Sequence, residues 1–421
     1  MLSPLKLKDR LFYGWVVVAT FLVIGTTIWG IRFSFGVFFK SIEAEFNLTR
    51  AATSGIFSAY MVLGGVFTIL GGWALDRYGP RIIILVMGIF TGLSLLLTSQ
   101  TNSLWQLFIT YSLLLAVGTS SLYVVIMSTV SRWFDKKRGL ALGIASSGNG
   151  LGTLVMAPFA TFLIARFDWY RTYLILGLIA WGIVLPLSRL LRRDPYEIGA
   201  LPDGAKAEPT DKDLPQPRAE ENNLQPTDLS LRQALRTRSF WLIIFSWLLY
   251  ASSLFLVLTH LVPHVTDIGF SAAEGATVLS LVGGTSIVGR VLLGTISDRI
   301  GRKATGIICA LVQAGAIAWL AWSQQLWMLY LFALIYGLVY GGMTPSMAAL
   351  ISDTFGLRKI GAILGVLDVV FGLGAAIGPV VGGLIFDVSK SYFTAFLLGV
   401  VAMVVVTLFV TQIRQETNRK S

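Results

Sequence analysis

Twelve apolar runs set the terms on which this chain can fold. They lie at residues 12–39, 51–74, 82–99, 104–131, 139–165, 171–191, 240–265, 274–297, 304–323, 327–351, 360–385 and 392–413. Most reach ~20 residues, the length at which an α-helix crosses a hydrocarbon core about 30 Å thick. A backbone in lipid must satisfy its own N–H and C=O groups, so runs of this kind become helices. An even number of them returns the C-terminus to the side of the N-terminus. Composition agrees. Only 13% of residues are charged and the mean hydropathy is +0.74, whereas a soluble chain carries about a quarter charged residues. The expected fold is all-α, with twelve transmembrane helices in two pseudo-symmetric six-helix bundles.

Charge gives the orientation. Of 33 Lys and Arg, 26 fall in segments on the N-terminal side of the bilayer. Five lie in the opposite loops (Lys40, Arg50, Arg166, Arg171 and Lys390), and Arg32 and Arg290 stand within spans. Lys and Arg collect in cytoplasmic loops, so both termini are expected in the cytoplasm and the chain in the cell inner (plasma) membrane. The net charge of +11 then needs no nucleic-acid partner. Lys6, Lys8 and Arg10 precede a run too long for a signal-peptide core and without a small-residue cleavage site, so no cleaved leader is expected.

The chain divides between the sixth and seventh runs. Arg192 to Ser239 is rich in Pro, Asp, Glu and Lys and lacks an apolar period, which predicts a flexible cytoplasmic linker. The expected units are residues 1–191, a linker at 192–239, and residues 240–421. These halves repeat. Asp76-Arg77-Tyr78-Gly79-Pro80-Arg81 recurs as Asp298-Arg299-Ile300-Gly301-Arg302-Lys303, an offset of 222. Phe134, Gly143, Pro158 and Gly177 find Phe355, Gly365, Pro379 and Gly399 at offsets of 221 or 222. A membrane chain built of two parallel repeats is expected to hold its ligand near the midplane, between the halves.

Arg290 is the leading ligand candidate. An arginine at membrane depth costs from about 2.5 to more than 10 kcal/mol unless solvated or paired, and it cannot shed its proton. A fixed cation in a wet cavity is a place for an anion. Asp368, about 12 Å along its helix from the cytoplasmic end, lies at a depth similar to Arg290 and is the candidate partner. Its apolar setting opposes ionisation while the arginine favours it, which makes it a candidate proton site. Tyr123, Asn149 and Tyr340 are polar groups in apolar runs. His260 and His264 sit toward the outer end of the seventh run, where His260 is a second titratable candidate. Two histidines there do not make a metal site. Cys309 is the only cysteine, which excludes internal disulfides and thiolate metal centres. Gly289-x-x-x-x-Gly294 is followed by Thr rather than Lys, so there is no phosphate loop to use ATP. No cofactor and no enzyme activity are expected.

The Gly72-x-x-x-Asp76-Arg77-x-Gly79-x-Arg81 element resembles the loop 2–3 motif of the major facilitator superfamily. That resemblance implies a gating role for Asp76, Arg77 and Arg81 and for Asp298, Arg299 and Arg302. Trp133-Phe134-Asp135-Lys136-Lys137-Arg138-Gly139-Leu140-Ala141-Leu142-Gly143 is similar to the signature of the monocarboxylate transporter family. Tyr13-Gly14-Trp15 and Phe38-Phe39-Lys40 resemble that family's other stretches. The oxalate–formate exchangers are similar in architecture. The resemblance implies secondary transport of a small monocarboxylate such as lactate or pyruvate with a proton, by a monomer in the lipid bilayer. It also implies that Arg290 holds the carboxylate. Ser286 stands where animal members carry an Asp, one turn before that arginine. The family's helix 1 lysine aligns at Phe33, so Arg32 is either its substitute or an outer-vestibule charge. Dicarboxylate exchangers carry a helix 11 lysine, and only Lys359 at the mouth of that helix comes near. The alternatives are an organic-anion exchanger indifferent to pH and a non-transporting receptor for a small acid.

Overall fold

The computed structural model describes residues 12–135, 137–204, 231–355 and 360–413, without the side chains of 298 and 360–362. Its elements are helical throughout the described residues. The first half comprises α1 (Tyr13–Phe33), α2 (Phe35–Glu45), α3 (Arg50–Thr98) and α4 (Leu104–Leu107). It continues through a π-helical stretch (Phe108–Leu114) to α5 (Leu115–Thr119), α6 (Leu122–Trp133), α7 (Arg138–Ser146) and α8 (Gly148–Ser188). The second half comprises α9 (Leu231–Ala234), α10 (Arg238–Asp267), α11 (Ala272–Ile300), α12 (Arg302–Trp322), α13 (Leu326–Phe355), α14 (Ile360–Ser389) and α15 (Phe393–Gln412).

Ten of the resulting helical segments are long and apolar enough to cross a membrane. Two of the ten, Arg50–Thr98 and Arg138–Ser188, have 49 and 51 residues, far more than the ~20 one crossing needs. Each reverses at a residue outside helical geometry: Gly79 (φ 76°, ψ 168°) in α3 and Asp168 (φ 65°, ψ 169°) in α8. Each of the two therefore crosses twice, and twelve crossings result. Helices expected to be separate run almost continuously through these turns.

The left-handed positions expose the repeat more sharply than the motifs do. Gly79 pairs with Gly301 (φ 95°), Asn47 (φ 50°) with Gly269 (φ 102°), and Asp168 with Lys390 (φ 57°), always 222 residues apart. The caps follow suit: Thr49 accepts from the Ala52 N–H and Ser271 from the Glu274 N–H. Both halves thus turn in the same places, with different residue types in two of the three pairs.

The described chain connections sort to two ends. Tyr13 Oη donates to the Leu190 carbonyl, Trp133 Nε1 to the Arg192 carbonyl and Lys303 Nζ to the Ile413 carbonyl. These bonds gather the start of α1, the end of α6 and the start of the linker in the first half, and the Gly301 turn and the last described residues in the second. The alternation of crossings puts both groups, with the Gly79 turn, at one end. Two of the family-like stretches meet there, with Tyr13 against Trp133 at 5.6 Å and Trp15 against Phe134 at 4.8 Å between ring centres. The first residues of the expected linker are folded. Asp194 caps the turn at Pro195–Ile198, and the Asp203 carboxylate accepts from the Asp135 and Lys137 N–H groups. Residues 205–230 lie outside the described residues, as does Lys359.

Glycines decide how closely the helices approach. A Cβ added at Gly374 or Gly378 on α14 would lie 2.3 Å from the Leu248 carbonyl oxygen or 2.0 Å from that of Ser252, both on α10. Between the halves, one at Gly283 on α11 would fall 3.0 Å from the Gly150 carbonyl oxygen on α8. The glycines of the eleventh span therefore make a seam against the seventh.

Candidate functional site

A cavity of about 1050 Å³ lies between the halves. Its wall draws on α1, α3, α6 and α7 from one half and α10, α13 and α14 from the other. It extends from Arg32, Tyr60 and Met61 in the interior to Trp73 and Arg138 at the end that carries the termini. Of the sequence candidates, Arg32, Tyr123 and Asp368 line it. Arg290, Asn149, Tyr340, Ser286 and His260 lie outside its wall.

Arg32 is half-buried, and no carboxylate pairs with it among the described residues. Its Nη2 meets the Met61 sulfur at 3.2 Å, and its Nε is buried with no partner. The rings of Phe33, Tyr60 and Phe255 surround the guanidinium at 5.6–5.8 Å, within cation–π range. The residue thus sits in the wall of the cavity rather than in a separate outer vestibule. Asp368 is exposed to the cavity and has no ion-pair partner among the described residues. The Tyr123 hydroxyl is within electrostatic range of both Asp368 and Arg290.

Arg290 has a different neighbourhood. Its Nη1 donates to the Ser146 carbonyl at 2.9 Å, where the backbone passes from α7 to α8, so the guanidinium ties α11 to the other half. The expected Arg290–Asp368 ion pair is not formed. Tyr340 Oη reaches Asn149 Oδ1 at 3.5 Å across the same seam, and Ser286 Oγ donates to the Gly283 carbonyl of its own helix. Together these four residues form a polar strip joining α8, α11 and α13, beside the cavity.

At the far end the halves are bolted together. Arg50, only 6% exposed, donates to Glu43 Oε1 (2.9 Å), Tyr392 Oη (2.8 Å) and Asp267 Oδ1 (3.2 Å). Asp267 also pairs with Lys40. The Asp387 carboxylate accepts from the Arg50 and Ala51 N–H groups, both at 2.9 Å. One half therefore caps a helix N-terminus of the other, where the dipole favours an anion. Gly383, one turn earlier, makes room: a Cβ there would come within 2.7 Å of the Arg50 backbone. His260 belongs to this bolt. Its Nε2 lies 2.8 Å from the Pro379 carbonyl, which can only accept, so Nε2 carries the proton. Nδ1 then accepts from Tyr392 Oη at 3.0 Å. Fully buried and doubly satisfied, His260 is a structural link. No group of metal-ligating side chains occurs among the described residues.

The repeated motif is asymmetric at the termini end. Arg302 bonds the Asp353 carboxylate and the Ala349 carbonyl at the end of α13. Arg77 instead stacks on its neighbours Trp73 and Tyr78, and Asp76, Arg77 and Arg299 are exposed. Arg81 lies at the start of the outgoing arm of α3, just past the Gly79 break, and is exposed too. None of the four ion pairs among described residues joins the halves at this end.

Sequence reasoning missed the bolt and the aromatic part of the cavity wall. Arg50 was legible only as a loop charge. Asp387 is 337 residues from it, and nothing local in the sequence links the two.

Comparison with known proteins agrees with this architecture. The sequence matches the Major Facilitator Superfamily model over residues 16–323 and 263–421. It is 28% identical over 402 residues to monocarboxylate transporter 13 of Bos taurus, covering 92% of this chain and 86% of that protein. It is 27% identical over 409 residues to monocarboxylate transporter 12-B of Danio rerio, at 93% and 85% coverage. The MFS-type transporter YcxA of Bacillus subtilis is 25% identical over 400 residues, at 90% of each chain. In fold, the chain is similar to a bacterial homologue of the human lysosomal transporter Spinster in an inward-facing, occupied conformation. That likeness has a TM-score of 0.75 at 14% identity over 96% of this chain and 97% of the other. Twelve crossings, two repeated halves and a cavity between them belong to a transporter rather than an enzyme: the chain is a member of the Major Facilitator Superfamily.

Proposed function

We propose that this protein is a secondary active transporter that moves a small monocarboxylate together with a proton by alternating access. The carrying observation is the cavity between the halves, lined by a cation, Arg32, and a carboxylate, Asp368, neither of which has an ion-pair partner among the described residues. A cation of this kind is balanced when a substrate carboxylate arrives, and its planar guanidinium can give two parallel hydrogen bonds. Asp368 supplies the proton site, as a carboxylate on the cavity wall with no ion-pair partner among the described residues. Arg290 is the second cation. It holds the Ser146 carbonyl in this state and exchanges it for the substrate when the halves rock.

The relatives named monocarboxylate transporters support this reading. The bolted far end and the cavity reached from the termini end correspond to one state of the cycle, open to the cytoplasm. That orientation follows the positive-inside distribution, with both termini cytoplasmic in a bacterial inner membrane. The protein works as a monomer whose halves, divided at the 192–239 linker, rock about the site. The motif residues Asp76, Arg77, Arg81, Asp298, Arg299 and Arg302 form contacts between halves when the cytoplasmic side closes.

Proteoliposome uptake of labelled lactate or pyruvate tests the reading. Protein-dependent uptake is expected to rise with an inward proton gradient. Counterflow unaffected by pH would select anion exchange instead, and binding without any flux would select a receptor.

A further inference from the structure

The cavity is built for more than a three-carbon acid. Its volume of about 1050 Å³ includes the mouth at Trp73 and Arg138, so the chemistry of the inner wall, rather than the volume, is what bears on the tail of the acid. Rings run continuously away from Arg32. Phe33 stacks on Phe255 at 6.1 Å, Phe255 meets Phe371 at 5.9 Å, and Phe371 meets Trp247 at 5.6 Å. Phe371 and Trp247 line the cavity with Tyr60, Met61 and Met127. Lactate has only a methyl group to set against such a wall.

Resting on the carboxylate-transport reading, we propose that the substrate is a monocarboxylate with an aromatic or bulky apolar tail. Its carboxylate is taken by Arg32, and its tail lies against Phe371 and Trp247. The rings around Arg32 interact with the cation but offer no acceptor for its N–H groups. Its Nε has no partner among the described residues, and the Met61 thioether is a weak one. A carboxylate arriving from the cavity supplies the oxygen acceptors that this guanidinium lacks among the described residues. The tail then begins where Phe255 gives way to Phe371. Flat aromatic tails fit such a wall by offset or edge-to-face contact. Ring burial favours the aromatic acid over lactate by roughly 100-fold.

The test uses the full-length protein in proteoliposomes under an inward proton gradient, with 3-phenylpropionate, lactate and the neutral 3-phenylpropionamide as probes. Flux into protein-free liposomes is subtracted. The expected result is half-saturation for 3-phenylpropionate roughly 100-fold below that for lactate, with no competition from the amide. Trp247→Leu is expected to shrink the ratio between the two acids at least tenfold. Equal or tighter handling of lactate overturns the substrate class and leaves carboxylate transport standing, as does a ratio unchanged in Trp247→Leu. Competition by the amide overturns the role of Arg32. Absence of protein-dependent flux for both acids overturns the underlying transport reading as well.

Discussion

Arg290 spends an N–H on the Ser146 carbonyl at 2.9 Å, whereas Arg32 meets only a thioether and three rings. Hydropathy makes both arginines conspicuous, since a charge in an apolar run stands out whatever surrounds it. It cannot tell which face of the helix meets the cavity, because that depends on neighbours hundreds of residues away. Arg32→Gln is expected to raise the half-saturation concentration for uptake by more than tenfold, the loss of a charge-assisted pair worth about 1.5–3 kcal/mol. Arg32→Lys, which keeps the charge and loses the fork, is expected to fall between. Both are read from initial uptake rates against concentration. At Asp368 the expected effect is on coupling. Asp368→Asn should abolish acceleration by a proton gradient while substrate-for-substrate counterflow persists. Gradient-driven uptake at the wild-type rate in that variant would remove the proton role.

Helices α10 and α14 touch through glycine. At Gly378 a methyl group would sit 2.0 Å from the Ser252 carbonyl oxygen, too close for anything but a backbone shift. Gly378→Ala is expected to destabilise the protein by about 1–3 kcal/mol, seen as a lower midpoint in detergent thermal unfolding. Lys390 gives the opposite case. It holds φ 57° without being glycine, a conformation that costs roughly 1–3 kcal/mol. Lys390→Gly is therefore expected to raise the same midpoint, less the greater backbone entropy of an unfolded glycine. The Gly79 and Gly301 turns could be read from the sequence, since glycine announces a left-handed turn. The matching turns at Asn47 and Gly269, and at Asp168 and Lys390, could not, because residues of different type occupy equivalent places. The spans themselves were legible almost to their ends, as hydrophobic length is what a bilayer selects.

Across the whole molecule, the two ends differ. The far end is closed by Arg50, Glu43, Asp267, Asp387, Tyr392 and His260, while the cavity reaches toward the end that carries the termini. Asp387→Asn removes the charge and one of the two oxygens that accept from the Arg50 and Ala51 N–H groups, and a charge-assisted hydrogen bond is worth about 1.5–3 kcal/mol to the state that contains it. In the proposed cycle that cost falls on the inward-open state alone. Asp387→Asn is therefore expected to shift the balance outward. The sequence offers a clean reporter, since Cys309 is its only cysteine. In a Cys309→Ala background, Ser54→Cys places a thiol beside His260 at the closed seam. Its labelling by a membrane-impermeant maleimide is expected to quicken at least tenfold when Asp387→Asn is added. An unchanged rate would show that these contacts do not hold the gate.

That cluster is made from three connections between consecutive spans: the first to the second, the seventh to the eighth, and the eleventh to the twelfth. They converge on the face predicted to look away from the cytoplasm. An antibody fragment raised against that face would grip both halves at once and stall the machine with its door shut, while never competing with the cargo inside.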